Sequence, residues 1–222
     1  MGVVEWIIRR IGRKKSTVER ERPSALEIAK PQPSRVPLEQ QLATLAELGL
    51  SLEDGATAED LLESFSRDEY ETNPYDLILF MLGCEVEREP WGRPFCSRAR
   101  NFDTECIYET GDYAKIVNRL AKLAGDPDWL TDVRDEVDIE NKKALLEYSA
   151  KGRVRRLHPD VNGDWCDGNA VMVVMSDLER DGNRFFVKEN GQAMVVFYLS
   201  QVVAEEINKL ANGSGPQLLL AR

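Results

Sequence analysis

A single histidine in 222 residues sets the first limit. Any Ser–His–Asp triad, Cys–His dyad or histidine-bearing metal site must use His158, so chemistry that needs two imidazoles is excluded. Cysteine is scarce as well: the four, at positions 84, 96, 106 and 166, lack the short paired spacing of a zinc knuckle. No glycine-rich phosphate loop is present, since Gly163, Gly168, Gly182 and Gly191 stand where turns are expected. No stretch approaches the roughly 20 apolar residues that a bilayer span needs. The most apolar run, YDLILFML at 75–82, is far too short. A secretory leader is not expected, because the N-terminal apolar run is broken by Glu5 and followed by a basic cluster. These absences predict reduced, mostly buried thiols, a cytoplasmic setting, and neither zinc nor any other cofactor.

What is present begins with charge. The chain carries a net −10, unevenly spread. Residues 1–22 hold seven Lys/Arg against three Glu, a net +4, which leaves −14 for the remainder. A body that acidic repels nucleic acid and suits a partner with a basic surface. Val3, Val4, Ile7, Ile8 and Ile11 recur at helical spacing with Trp6 near the stripe's edge, while Arg9, Arg10 and Arg13 take the other side. Residues 1–15 therefore read as a basic amphipathic helix, suited to a partner groove or to peripheral contact with the inner membrane surface. Packing on the protein's own body is the equally weighted alternative. Residues 16–37, with Pro23, Pro31, Pro33 and Pro37 among charges, read as a linker.

A single α+β domain is predicted over 38–212, followed by a loose tail at 213–222. Pro37 opens a helix that Gly49 closes, and Thr57 with Asp60 forms a capping signature for a second. Asn73-Pro74 and Gly83 bracket a buried helix, and residues 111–124 carry Tyr113, Ile116, Val117, Leu120 and Leu123 on one face. The C-terminal half turns to hairpins, 143–149 with 153–158 around Lys151-Gly152 and 184–189 with 192–199 around Asn190-Gly191. A helix over 169–178 separates them, and Ser200 caps a last helix through Leu210. This order predicts an antiparallel sheet with helices packed on it.

Acidic residues supply the candidate chemistry. Asp103 and Glu105 share one face if their segment is extended, and Asp160, Asp164 and Asp167 follow a second acidic run at 132–140. Hard cations need such oxygens converging on one point, so Asp103, Glu105, Asp164 and Asp167 are the ligands expected of a metal-dependent hydrolase. Solvated acidic loops are the favoured alternative. Trp91, Trp129 and Trp165 stand in loops (EPWGRP, DPDWLTD, GDWCDG). Exposed, they are natural anchors for a partner, with Asp164 and Asp167 as the acidic rim around Trp165; buried, they fasten loops.

His158-Pro159-Asp160 resembles the loop of J-domain co-chaperones, but the segment departs from that family at Lys151-Gly152 and in the apolar run after GDWCDG. The segments FDTECIYETGDY, GDWCDG and ENGQ…FYL resemble small uncharacterised bacterial proteins of the toxin-immunity kind over residues 38–200. That resemblance implies stoichiometric binding to a partner protein without chemistry, and it carries over no catalytic residue. The expected function is thus a non-catalytic acidic binding protein. The hydrolase, and a body tethered to a membrane by residues 1–15, are its rivals.

Overall fold

The computed structural model describes residues 35–190, 193–210 and 218–221. The amphipathic helix expected at 1–15, with Trp6, Ile7, Ile8, Arg9, Arg10, Ile11 and Arg13, lies outside the described residues, as does most of the linker. Among the described residues the fold is α+β: four helices come first, and antiparallel strands with three further helices follow. No helix among the described residues is long and apolar enough to cross a membrane.

Helix α1 (Leu38–Glu47) starts at Pro37, and the chain leaves it through Gly49 at φ +83°. Leu38, Gln41 and Leu45 repeat at three- and four-residue spacing and make its buried face. Arg35 belongs to the body rather than to a linker, because its guanidinium pairs with Asp68 at 2.7 Å and Glu71 at 3.2 Å. Helix α2 (Ala58–Ser64) opens on a full capping box, Thr57 accepting from Asp60 N–H and Asp60 accepting from Thr57 N–H. Helix α3 (Arg67–Thr72) opens on the same device from Ser66 and Glu69. Helix α4 (Asp76–Met81) starts two residues later than Asn73-Pro74 predicts, because Tyr75 takes a left-handed conformation at φ +68°.

Strands β1 (Ala99–Asp103), β5 (Asn183–Asn190), β6 (Ala193–Ser200) and β7 (Leu219–Leu220) form one sheet in the order β1-β6-β5-β7. Strands β2 (Leu130–Asp138), β3 (Lys143–Ala150) and β4 (Arg153–Leu157) form another. The two predicted hairpins are real but sit in different sheets. Residues 218–221 correct the expectation of a loose tail: Leu218 is buried and Leu219–Leu220 pair with Val187 and Phe186 of β5. Burying apolar side chains on an open strand offsets the cost of ordering them.

Strand alternation divides the core in two. Ala99, Phe186, Val195, Phe197 and Leu199 face α1–α4 and helix α7 (Gln201–Leu210). Phe102, Phe185, Val196 and Tyr198 face helices α5 (Asp112–Leu123) and α6 (Gly168–Leu178) and the inner side of the second sheet, where Leu146 and Tyr148 are buried. At Gly83 the first core is tight, since an added Cβ would stand 2.6 Å from Val195 Cγ1 and 3.0 Å from the backbone of Asn101.

One capping contact makes stability depend on acid. Asp60 is buried and receives the Arg88 guanidinium. Arg88, and after it Thr57, hold its carboxyl down from 3.8 to about 2. A depressed carboxyl contributes stability above its unfolded value, and that contribution disappears as pH falls toward the folded one. Wild-type protein is therefore expected to lose stability between pH 4 and pH 2 relative to Asp60→Asn, at up to about 1.4 kcal/mol per pH unit. Urea titrations at pH 5, 3 and 2 measure it, and parallel behaviour of the two proteins would refute the assignment.

Candidate functional site

The carboxylates singled out in the sequence gather where α5 and α6 begin and β1 ends. After Asp103 the chain runs antiparallel to residues 164–166. Cys166 N–H donates to the Thr104 carbonyl at 2.8 Å, Ile107 N–H donates to the Asp164 carbonyl at 2.9 Å, and Glu105 stands opposite Trp165. Two loops distant in sequence are thereby joined into one short ribbon.

Much of the acidity here serves the helix starts, whose free N–H groups and positive dipole ends favour anions. Asp167 is the N-cap of α6: its Oδ1 accepts from Asn169 N–H at 2.8 Å and Ala170 N–H at 3.4 Å. Its Oδ2 accepts from Asp160 N–H at 2.9 Å. Asp112 closes the turn before α5 by accepting from Tyr108 N–H and Glu109 N–H, and Lys115 pairs with it at 2.8 Å. Helix α5 has no local side-chain cap; Asp135 of β2 supplies one from another sheet, through Gly111 N–H at 2.9 Å and Ala114 N–H at 3.2 Å. The run at 132–140, expected as solvated loop, is thus mostly strand β2, with Asp135 turned inward.

Asp103 accepts from Glu105 N–H at 2.9 Å. Among the described residues no group of three or more His, Cys, Asp or Glu side chains is placed to hold a metal ion. Asp103, Glu105, Asp164 and Asp167 do come to one region, but Asp103 and Asp167 are engaged with backbone N–H groups.

The aromatic residues part company. Trp165 is 39% exposed and Tyr108, which the sequence reading did not single out, is 66% exposed. The Tyr108 hydroxyl donates to the Glu105 carbonyl at 2.9 Å, which sets it beside the Glu105–Trp165 pair. Its phenol is raised, first by desolvation and then by the charges of Asp164 and Asp103. Trp129 departs from the partner-facing role: its indole N–H donates to the Asp177 carbonyl at 3.0 Å, and its ring packs against the second core under Arg180. Trp91 is exposed on a separate loop, held to Gly55 through Arg93 at 2.8 Å.

His158 is exposed and lines an open cleft of about 730 Å³ with Thr110, Glu136, Asp138, Lys142, Lys143 and Asp160. None of the four cysteines lines that cleft. The charges of its walls are mixed. Comparison with known protein families, with curated proteins and with solved structures found no match.

Proposed function

We propose that the protein is a non-catalytic binding module of the immunity kind, which captures a basic partner protein stoichiometrically. The observation that carries this reading is the joining of two exposed aromatics, Trp165 and Tyr108, to Asp103, Glu105 and Asp164 on one ribbon. Aromatic anchors ringed by charge are the usual energetic centre of a protein interface. A body of −14 adds long-range attraction for a basic surface.

Two variants separate anchoring from steering. Trp165→Ala is expected to speed dissociation and cost about 2 kcal/mol, roughly thirtyfold in affinity. Asp164→Asn is expected to slow association and flatten its salt dependence, with dissociation little changed. Immobilised full-length protein and the variants, run against host lysate at low and physiological salt, identify the partner. Kinetics with that partner, measured beside melting temperatures, then test the roles. A stable Trp165→Ala protein that binds as the wild type does would refute the reading.

A further inference from the structure

The ribbon that joins 104–107 to 164–166 also brings two cysteines together. Glu105 and Trp165 oppose each other, so their side chains share one face of the ribbon. The residues on either side, Cys106 and Cys166 among them, fall on the other face as diagonal neighbours. The two thiols are near enough that each is the largest influence on the acidity of the other. Both are half-buried, whereas Cys84 and Cys96 are deep in the first core. Neither is bonded to the other in this structure.

We propose that Cys106 and Cys166 form a thiol–disulfide exchange site, in which Cys106 attacks a small external disulfide and Cys166 resolves the adduct. In the first step Cys106 gives its proton to solvent and its thiolate attacks one sulfur of the external disulfide. That S–S bond breaks, one thiolate leaves and is protonated, and Cys106 is left in a mixed disulfide. In the second step Cys166 loses its proton and attacks the Cys106 sulfur. The mixed disulfide breaks, the second small thiol departs with a proton, and the Cys106–Cys166 bond remains. Two electrons pass from the protein thiols to the external disulfide, which ends as two thiols.

The assignment of roles follows from the effect each thiol has on the other. The neighbouring Cys166 makes Cys106 the stronger acid of the two, and Cys106 together with burial makes Cys166 the weaker one. Cys106 is therefore the first of the two to become a thiolate. By contrast, burial pushes the Cys84 thiol up to about 12 and raises Cys96 as well. The charges that face Cys106 are Asp103, Asp112 and Arg119, and Asp167 faces Cys166. This mostly acidic surround favours a cationic disulfide over an anionic one.

Cystamine, a cationic disulfide, is the probe. Reduced full-length protein is incubated with it, quenched with an alkylating agent, and weighed intact before proteolytic mapping. The expected product has lost two hydrogens, retains no adduct, links Cys106 to Cys166, and alkylates at Cys84 and Cys96 only after unfolding. Cys166→Ser is expected to stop at a stable adduct on Cys106, and Cys106→Ser to react about tenfold more slowly or less. A wild-type adduct that persists, a link to Cys84 or Cys96, or no reaction would overturn the proposal. Wild-type mapping alone decides this if either variant fails to fold.

Discussion

Gln41→Leu is expected to lower the unfolding free energy by about 3 kcal/mol, and the melting temperature by about 8 °C. Gln41 is fully buried, and its three hydrogen bonds from and to the side-chain amide all go to backbone. Its Nε2 donates to the Val36 carbonyl at 2.8 Å and to the Tyr70 carbonyl at 2.9 Å. Its Oε1 accepts from Tyr75 N–H at 2.8 Å. The Tyr70 carbonyl is among those left free at the end of α3, and Tyr75 N–H is free at the start of α4. One amide on α1 thus satisfies the ends of two short helices, and it does so where Tyr75 holds a left-handed backbone that a tyrosine adopts at a cost. Leucine matches the volume but strands the buried Tyr70 carbonyl and Tyr75 N–H and the part-buried Val36 carbonyl, and a buried group costs about 1–3 kcal/mol when unpaired. Partial relaxation and entering water offset some of that sum. Urea unfolding of both proteins at neutral pH measures the difference. A loss under about 1 kcal/mol would mean that α3 and α4 are held by Leu61, Tyr70 and Ile78 packing alone.

The same amide shows where the sequence was readable and where it was not. Local signals hold: Thr57 with Asp60, Gly49 after α1, and Lys151-Gly152 between β3 and β4 each act within a few residues. Helix α3 is absent from the expected elements although Ser66 with Glu69 carries the same capping signature as Thr57 with Asp60. Strand β2 was hidden by its chemistry. Its charged residues serve both faces, Arg134 pairing with Glu147 across the sheet and buried Asp135 capping α5, and a register shift between Thr131 and Arg134 breaks the two-residue period. Strand β7 has two residues and no periodicity to read.

At the candidate site, GDWCDG marked Trp165 and its neighbours as a turn rich in acid. What it could not mark was the meeting with Glu105, Cys106 and Tyr108, because that depends on how two loops pair across the fold. Absence of paired Cys spacing likewise said nothing about Cys106 and Cys166, whose approach is set by the ribbon rather than by the chain. Nor could a carboxylate's sequence neighbours show that Asp135 would cap a helix from another sheet.

Asp76→Asn is expected to destabilise the protein by about 3 kcal/mol, while Lys188→Met changes stability by about 1 kcal/mol or less. Lys188 lies on β5 opposite Val195, on the sheet face that packs against the first helical layer, and only 5% of it is exposed. Its ammonium stands 3.0 Å from Asp76 Oδ1 at the first turn of α4. That oxygen is itself buried and the contact is off hydrogen-bond alignment, so the pair is held by charge more than by a directed bond. Removing the carboxylate leaves a cation among Phe186, Val195 and Phe197 with no counterion, which a low-dielectric core penalises heavily. Partial exposure of the Asp76 side chain, 38%, admits water and keeps the cost near the lower edge of the 3–5 kcal/mol typical of broken buried pairs. Methionine removes the charge and keeps the unbranched stem, so the desolvation cost of the ammonium disappears with its attraction. The double variant should resemble Lys188→Met alone, because Asp76→Asn has no buried cation left to strand. Denaturant unfolding of the four proteins gives the coupling directly. Additive losses in the double variant would show that the two side chains act independently and that the ion pair does not fasten α4 to the sheet.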